Sequence, residues 1–340
     1  MKILIIGLGE FGYSLLTHIS EINNSKIKEI RAFDIREDSI ASLIKNQIHP
    51  DFPRYPLSNN KIKFYKNLKE AVVDIDLIIL SVNSKYIINI IEEIKPYLKE
   101  NIQILNTSKA LTEEGKFFSE VIKISLSGIN LEYAILSGST KASDILDKKR
   151  VIATIGATNL NFLDDIQSIL QSDNFIIKVT NDVIAVEIAG IIKNILSILY
   201  GYMKTKNYSV SEIYYILAKY KFYIEELYPS IIDENLLPAW EVDLYMGFEL
   251  GTRNYILGTM LGEGKNIQEI LLAKENQTLE GLISLDSLDK NTFLSKIPEY
   301  LLLQNLLIHK NITDNEFKNK IINKYKYAFM QTKIANFQLK

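Results

Sequence analysis

Lys2-Ile3-Leu4-Ile5-Ile6-Gly7-Leu8-Gly9-Glu10-Phe11-Gly12 is the stretch whose reading decides the fold. Ile3 to Ile6 is a short, wholly apolar run, as expected of a strand buried on both faces. A Gly-x-Gly-x-x-Gly follows at once, and Phe11 to Glu21 continues at helical spacing with Leu15, Leu16 and Ile19 on one side. Strand, glycine turn and helix in that order predict a dinucleotide-binding unit. Gly7 permits the tight turn, Gly9 lets the backbone approach a pyrophosphate, and Gly12 lets helix and strand pack closely. The helix N-terminus offers free N–H groups and a positive dipole end to the phosphates. Asp34 ends the next strand candidate, Glu29 to Phe33, about 20 residues on, where an acidic residue binds the adenine ribose hydroxyls. A carboxylate there repels a 2′-phosphate and favours NAD(H). Arg36, two positions later, is able to pair with such a phosphate, so NADP(H) stays open.

Outward from this unit the two periods alternate. Short strands are expected at Lys63 to Tyr65, Leu77 to Val82, Ile102 to Asn106, Tyr133 to Leu136 and Val151 to Ile155. Helices are expected at Ile40 to Ile48, Leu68 to Val72, Ile87 to Leu98 and Phe117 to Ile122. Pro50, Pro53, Pro56 and the Ser58-Asn59-Asn60 cluster read as an irregular loop. Such alternation predicts an α/β unit, a Rossmann doubly wound and mainly parallel sheet. From Val183 the character changes. Val183 to Met203 is one long apolar helix, and every later segment reads helical: Val210 to Leu227, Asp243 to Leu250, Asn254 to Leu261, Ile267 to Ala273, Lys296 to Ile308 and Asp314 to Ala328. The expected organisation is a dinucleotide-binding domain over residues 1–180 and an all-helical substrate and catalytic domain over 181–340.

The chain has 340 residues, 47% hydrophobic and 24% charged, with 39 Lys plus Arg against 41 Asp plus Glu. That is ordinary globular composition for about two domains, and it rules out a mainly disordered chain. A net charge of -2 gives no whole-protein footprint for a nucleic acid or an anionic membrane. With no cysteine, disulfides, thiol catalysis and Cys-ligated metals are excluded. His18, His49 and His309 are scattered, lack a metal-ligand spacing and read as structural or surface residues, so no metal site is expected. No secretory signal and no transmembrane segment is expected, which makes the cytoplasm the default location.

Three lysines stand out. Lys109, in NTSKAL, follows a buried strand at the sheet edge where ligands bind in this fold, and reads equally as an ordinary loop lysine. Lys193 lies inside the apolar helix, in EIAGIIKNILSI. A buried ammonium must be paired or lower its pKa, which makes it an acid/base candidate; the alternative is a lysine that snorkels out at the helix edge. Lys141, in GSTKAS, reads as a solvated loop lysine. Thr252 is placed to cap a helix that begins at Arg253-Asn254, and the guanidinium can fork onto a phosphate or carboxylate.

Taken in order, the motifs resemble the bacterial-type NAD(P)-dependent glycerol-3-phosphate dehydrogenases, from residue 1 to about residue 285. GLGEFG is similar to the family's glycine loop. LSVNSKYIINIIEEIKPYL resembles its strand and helix after the ribose site, and NTSKAL its Ser-Lys-Gly motif. LSGSTKASD resembles its Ser-Gly-Pro-Thr-x-Ala-x-Glu stretch. VEIAGIIKNILSILYG resembles its Val-Glu-x-x-Gly-x-x-Lys-Asn helix. GTRNYILGTMLGEG and LEGL complete the set. The resemblance implies reversible hydride transfer between a nicotinamide cofactor and dihydroxyacetone phosphate, supplying glycerol 3-phosphate for phospholipid synthesis. It implies roles position by position. Gly7, Gly9, Glu10, Phe11, Gly12, Asp34, Lys109, Ala142, Arg253 and Glu280 fall at cofactor positions. Lys109, Gly138, Thr140, Lys193, Asp243, Thr252, Arg253 and Asn254 fall at substrate positions. Lys193 takes the place of the proton donor and acceptor, held by Asp243, with Lys109 adding positive potential. A homodimer is compatible with the family.

Departures lie on the substrate side. Ser139 replaces a proline, Asp144 a glutamate, Ala110 a glycine, Trp240-Glu241-Val242 a Gly-Leu-Gly, Ala218-Lys219-Tyr220 a Thr-Arg-Gly, and Tyr255-Ile256 a more polar pair. They leave two alternatives: a related dehydrogenase of the same architecture with another small substrate, or an inactive dinucleotide-binding regulatory protein. Retention of Lys109, Lys193, Asp243, Arg253 and Asn254 together argues against the second.

Overall fold

The structure is a computed structural model that describes residues 1–58, 62–273 and 279–323. Eight strands form one sheet: β1 (Lys2–Ile6), β2 (Glu29–Phe33), β3 (Ile62–Tyr65), β4 (Leu77–Leu80), β5 (Asn101–Asn106), β6 (Asn130–Ser139), β7 (Val151–Ala157) and β8 (Phe175–Thr180). Their order is β3-β2-β1-β4-β5-β6-β7-β8. All neighbours run parallel except β6 and β7, which pair antiparallel with Ser137 opposite Thr154. The first six strands, in order 3-2-1-4-5-6, are the Rossmann arrangement, and the order reverses between β1 and β4, where such sheets bind their ligands.

Helices α1 (Glu10–Glu21), α2 (Glu37–Asn46), α3 (Leu68–Val72), α4 (Ile87–Ile94), α5 (Phe118–Ser125), α6 (Ala142–Leu146) and α7 (Leu160–Leu170) cover the sheet. The strict alternation of β1 divides the core in two. Ile3 and Ile5 pack on one face with Leu15, Leu16, Ile40, Leu43 and Phe162, while Leu4 and Ile6 pack on the other with Ile87, Ile91, Phe118 and Ile122. The sequence pattern had not separated α6, α7 or β8, and it ran α4 on to Leu98, where the chain tightens into a 3₁₀ turn at Lys95–Tyr97. Asn59 and Asn60 lie outside the described residues.

From Val183 the chain is helical: α8 (Val183–Thr205), α9 (Val210–Leu227), α10 (Asp243–Gly247), α11 (Arg253–Gly262), α12 (Ile267–Ala273), α13 (Glu280–Asp286), α14 (Pro298–Leu307) and α15 (Asp314–Asn323). The expected continuation of α15 to Ala328 lies outside the described residues. Between α9 and α10 the chain makes 3₁₀ and π turns at Pro229–Ile232, Glu234–Leu236 and Pro238–Val242, so this stretch is not regular α-helix. The Asp182 carboxylate caps α8 by accepting from the Ala185 N–H at 3.0 Å. The Ser209/Glu212 capping box starts α9.

Among the described residues α8 is the one helix long and apolar enough to cross a membrane by length and composition. Its most apolar stretch is 89% buried, as in a core helix: Ile192, Ile195, Leu196 and Leu199 lie in the helical core with Trp240, Tyr220 and Leu257. α11 crosses it at close range. A Cβ at Gly258 would sit 1.9 Å from the Ile198 carbonyl oxygen, and one at Gly201 would sit 2.1 Å from the Tyr255 oxygen. These two missing side chains bring the start of α11 beside Lys193.

Candidate active site

At the switch between β1 and β4 the glycine loop is closed by packing at two positions and open at the third. Gly7 has φ +91°, and a Cβ there would lie 2.6 Å from the Ser81 oxygen; a Cβ at Gly12 would lie 1.9 Å from the Gly7 oxygen. At Gly9, the N-terminal cap of α1, a Cβ would meet nothing within 4 Å. Backbone stays open to a phosphate there, so the loop fits a dinucleotide. Glu10 is exposed and Phe11 half-buried at the start of α1, and Ala142 is buried at the start of α6. The Asp34 carboxylate accepts from the Leu8 N–H at 2.5 Å and from the Arg36 N–H at 2.8 Å. This ties the end of β2 to the glycine loop. The Arg36 guanidinium turns away to Asp51 and, at 3.3 Å, to Asp38.

The second cluster gathers residues far apart in sequence. Lys109 leaves the end of β5, Lys193 faces it from α8, and Asp243 opens α10 between them. One carboxylate oxygen of Asp243 accepts from Lys109 Nζ at 2.5 Å, and the other lies 3.4 Å from Lys193 Nζ. Lys109 Nζ also donates to the Gly138 carbonyl at 3.1 Å. All three side chains are largely withdrawn from solvent: 17% exposed for Lys109, 18% for Lys193, 5% for Asp243. Burial pushes the Lys193 pKa down, the Asp243 charge pulls it back up, and Lys109 and Arg253 push it down further. The expected partnership of Asp243 with Lys193 is present, but Asp243 is shared and its shorter bond goes to Lys109.

Around this cluster the remaining candidates divide. Asn254 Nδ2 donates to Asn194 Oδ1 at 2.8 Å, and Asn194 Nδ2 donates to the Lys109 carbonyl at 2.9 Å. Glu280 accepts from Ser108 Oγ at 2.7 Å and from the Lys109 N–H at 3.3 Å, gripping the turn that carries the lysine. The Thr140 N–H donates to the Gly138 carbonyl at 2.8 Å, so Gly138 and Thr140 wall the Lys109 side of the site. Arg253 is exposed, and among the described residues it has no ion-pair partner. Thr252 occupies the N-cap position of α11 but does not cap it with its hydroxyl, which donates instead to the Gly247 carbonyl at 3.1 Å. Helical spacing could not foresee that turn, because Phe248 to Gly251 had read as helix up to Leu250.

Sequence reasoning passed over Asn194 and Ser108. Each sat beside a lysine already singled out, and their adjacency in Lys193-Asn194 and Ser108-Lys109 was the available signal. Lys141 pairs with Glu249 at the surface. Two histidines do structural work, and His309 is exposed: His18 Nε2 donates to the Leu170 carbonyl at 2.7 Å, and His49 is buried against Tyr13 and Phe52. Among the described residues no group of His, Asp and Glu is arranged to hold a metal ion.

Residues 2–163 match the family described as NAD-dependent glycerol-3-phosphate dehydrogenase N-terminus. A glycerol-3-phosphate dehydrogenase [NAD(P)+] of Fusobacterium nucleatum is 27% identical over 307 residues, covering 84% of this chain and 86% of that protein. Among solved structures, the glycerol-3-phosphate dehydrogenase of Coxiella burnetii superposes with a TM-score of 0.80 at 22% identity, covering 94% of this chain and 98% of that one. The corresponding Plasmodium falciparum structure gives 0.81 at 19% identity, covering 96% and 95%. At such identities these two structures speak for the fold: a Rossmann sheet followed by a helical region.

Proposed function

We propose that this chain, similar over most of its length to NAD(P)-dependent glycerol-3-phosphate dehydrogenases, catalyses the reversible reduction of dihydroxyacetone phosphate to sn-glycerol 3-phosphate. The observation that carries this reading is one buried carboxylate, that of Asp243, held between Lys109 and Lys193 at the edge of the sheet. When bound, a nicotinamide would supply the hydride for the carbonyl carbon. Lys193 supplies the proton at the carbonyl oxygen, and in the oxidative direction its neutral amine takes that proton back. Its lowered pKa serves both directions, because an amine held at its ordinary value would rarely be neutral. Asp243 keeps Lys193 aimed, and Lys109 adds positive potential where the alkoxide develops.

Lys109, Lys193 and Arg253 outnumber Asp243 and Glu280, so positive charge is in excess where a phosphate must sit. Arg253, exposed at the start of α11, is the group placed to grip it, with Asn254 beside it. Residues 1–180 then hold the dinucleotide, and residues from 181 onward supply the proton donor and the phosphate grip. NADH is the preferred cofactor on this reading. Arg36 is neutralised by Asp51 and Asp38, and a 2′-phosphate would meet three carboxylates including Asp34. Following NADH absorbance with dihydroxyacetone phosphate tests the proposal. Turnover with this substrate is the expected result; no absorbance change in either direction with this pair of compounds would assign the site to another small substrate.

A further inference from the structure

Six residues before Lys193, α8 carries a second ionisable group that the reduction does not use. Glu187 is 5% exposed. Gly190 and Asn194 follow it by three and seven residues, so the three share one helix face. This face carries the Lys109 turn. A Cβ at Gly190 would lie 3.1 Å from Lys109 Cβ and Cγ, and Asn194 holds the Lys109 carbonyl. Glu187 reaches the same turn from the other side through two intermediaries. Its carboxylate accepts from the Ser119 N–H at 3.0 Å, from the Ser119 hydroxyl, and from the Tyr133 hydroxyl at 3.3 Å. The Tyr133 oxygen accepts from Asn106 Nδ2 at 3.1 Å, and Asn106 Oδ1 accepts from the Ser108 N–H at 3.1 Å.

The direction of this chain follows from its end. An ionised carboxylate only accepts, so Tyr133 must give it its proton. The Tyr133 oxygen then has only lone pairs for Asn106, which must turn its NH₂ that way and its oxygen toward Ser108. We propose that Glu187 is a positioning residue for Lys109: its carboxylate fixes the orientation of Tyr133 and Asn106, and thereby the hydrogen bond that holds the Ser108–Lys109 turn. The proposal rests on the reading of Lys109 as part of the reducing site.

Titration supports a switchable form of this device. Burial pushes the Glu187 carboxyl up to about 7 against the bonds from Ser119 and Tyr133. The groups that face it are Ser119 and, nearby, Glu120 from α5, whose charge adds to the upward push, and Tyr133 from β6. Burial and the Glu187 charge hold the Tyr133 phenol well above its ordinary value, so it remains a donor. Once protonated, Glu187 can donate to the Tyr133 oxygen. Tyr133 then turns its proton toward Asn106, the amide reverses, and the Ser108 N–H loses its acceptor.

The test is amide exchange of the 106–110 segment in the full-length protein, corrected for the intrinsic pH dependence of exchange. One hydrogen bond is worth about tenfold in local opening. Wild type should exchange about tenfold faster at pH 6 than at pH 8. Glu187→Gln keeps an acceptor oxygen for Tyr133 and cannot titrate, so its corrected rate should not change between the two. Tyr133→Phe cuts the chain without touching the Ser119 bonds, and should exchange fast at both. With dihydroxyacetone phosphate, wild-type kcat should fall below about pH 7, and this acid limb should be missing from Glu187→Gln. Equal pH dependence in wild type and Glu187→Gln, or wild-type protection in Tyr133→Phe, overturns the proposal. Exchange that behaves as stated in a protein that never turns over dihydroxyacetone phosphate leaves Glu187 in its role and removes the proposed reaction instead.

Discussion

The glycine loop and the lysine cluster are built on opposite plans. Between Gly7 and Gly12 six consecutive residues do the work with backbone alone, and what matters is where a Cβ is absent. Between Lys109, Lys193, Asp243, Arg253 and Glu280 the spacing runs to more than 170 residues, and what matters is where side-chain charges meet. The first plan is stiff, since Gly12 packs against the Gly7 backbone and Gly7 against the Ser81 carbonyl. The second depends on α8, one long helix against which β6, α10 and α11 each lean and on which the Lys109 turn rests. On the proposed reading, binding a cofactor and moving a proton fall to different parts of the molecule, and substitutions should separate them.

The largest effect is expected at Lys193. Positioned proton transfer contributes about 10²–10⁴-fold, so Lys193→Ala should lose kcat on that scale while NADH affinity stays at its wild-type value. Fluorescence titration with NADH beside steady-state kinetics checks both halves; near-normal turnover would remove Lys193 from the chemistry. The sign of the pH dependence is set by the lowered Lys193 pKa. Reduction needs the ammonium and should weaken as pH rises through that value, while oxidation needs the amine and should strengthen. Asp243→Asn takes away a charge that holds the pKa up, so both limbs should move to lower pH.

Two glycines give the mirror-image experiment. A Cβ at Gly12 has 1.9 Å to the Gly7 oxygen and must displace backbone, whereas one at Gly9 has open space. Overpacking of this kind costs about 1–3 kcal/mol. Gly12→Ala should therefore lower the melting temperature and weaken NADH together. Gly9→Ala should keep the melting temperature and weaken NADH alone, by filling the space a phosphate needs. If both variants melt alike, the loop is not divided between packing and binding as described.

The phosphate grip should break more gently. Arg253→Lys keeps the charge and loses the planar fork. A hydrogen bond to a charged group is worth about 1.5–3 kcal/mol, roughly tenfold to a hundredfold. Efficiency with dihydroxyacetone phosphate should drop by that much, and with unphosphorylated dihydroxyacetone far less. An equal loss with both would take Arg253 out of the phosphate site.

The contrast between the two plans also explains what could be read in advance. β2 and α9 match their expected limits, because Glu29–Phe33 is bounded by polar turns and Val210–Leu227 opens on a capping box. The glycine loop was legible for the same reason: its signal is local. α7 and β8 went unnamed although FLDDIQSIL and FIIKV carry the right periods, and the antiparallel turn of β7 is a matter of pairing that no single segment encodes. At the lysine site Lys193 stands out because a charge inside an apolar run needs a reason, and Lys109 because it follows a buried strand. Asn194, Asn106 and Ser108 do not, since an amide or hydroxyl beside a lysine is ordinary until the fold shows what it holds. Asp243 was found by resemblance, and its division between two lysines is a tertiary fact.

The smallest effect should lie at the rim of the cofactor site. Arg36 is tied to Asp51 and Asp38, and all three side chains are about half exposed or more. Exposed pairs of this kind are worth about 0.2–1 kcal/mol, which is at most roughly fivefold. Asp51→Asn removes the nearer partner and one of the three carboxylates that a 2′-phosphate would face. Arg36 is then freer to turn toward that phosphate, while Asp34, bonded to Leu8 and to the Arg36 backbone, keeps its place for the proposed contact with the ribose of NADH. Efficiency with NADPH should rise by up to about fivefold, and efficiency with NADH should stay where it was. The rise should shrink at high salt, because every charge involved is in contact with solvent. A variant that gains nothing with NADPH would mean that Arg36 plays no part in the choice, and that the Asp34 carboxylate alone keeps the 2′-phosphate out.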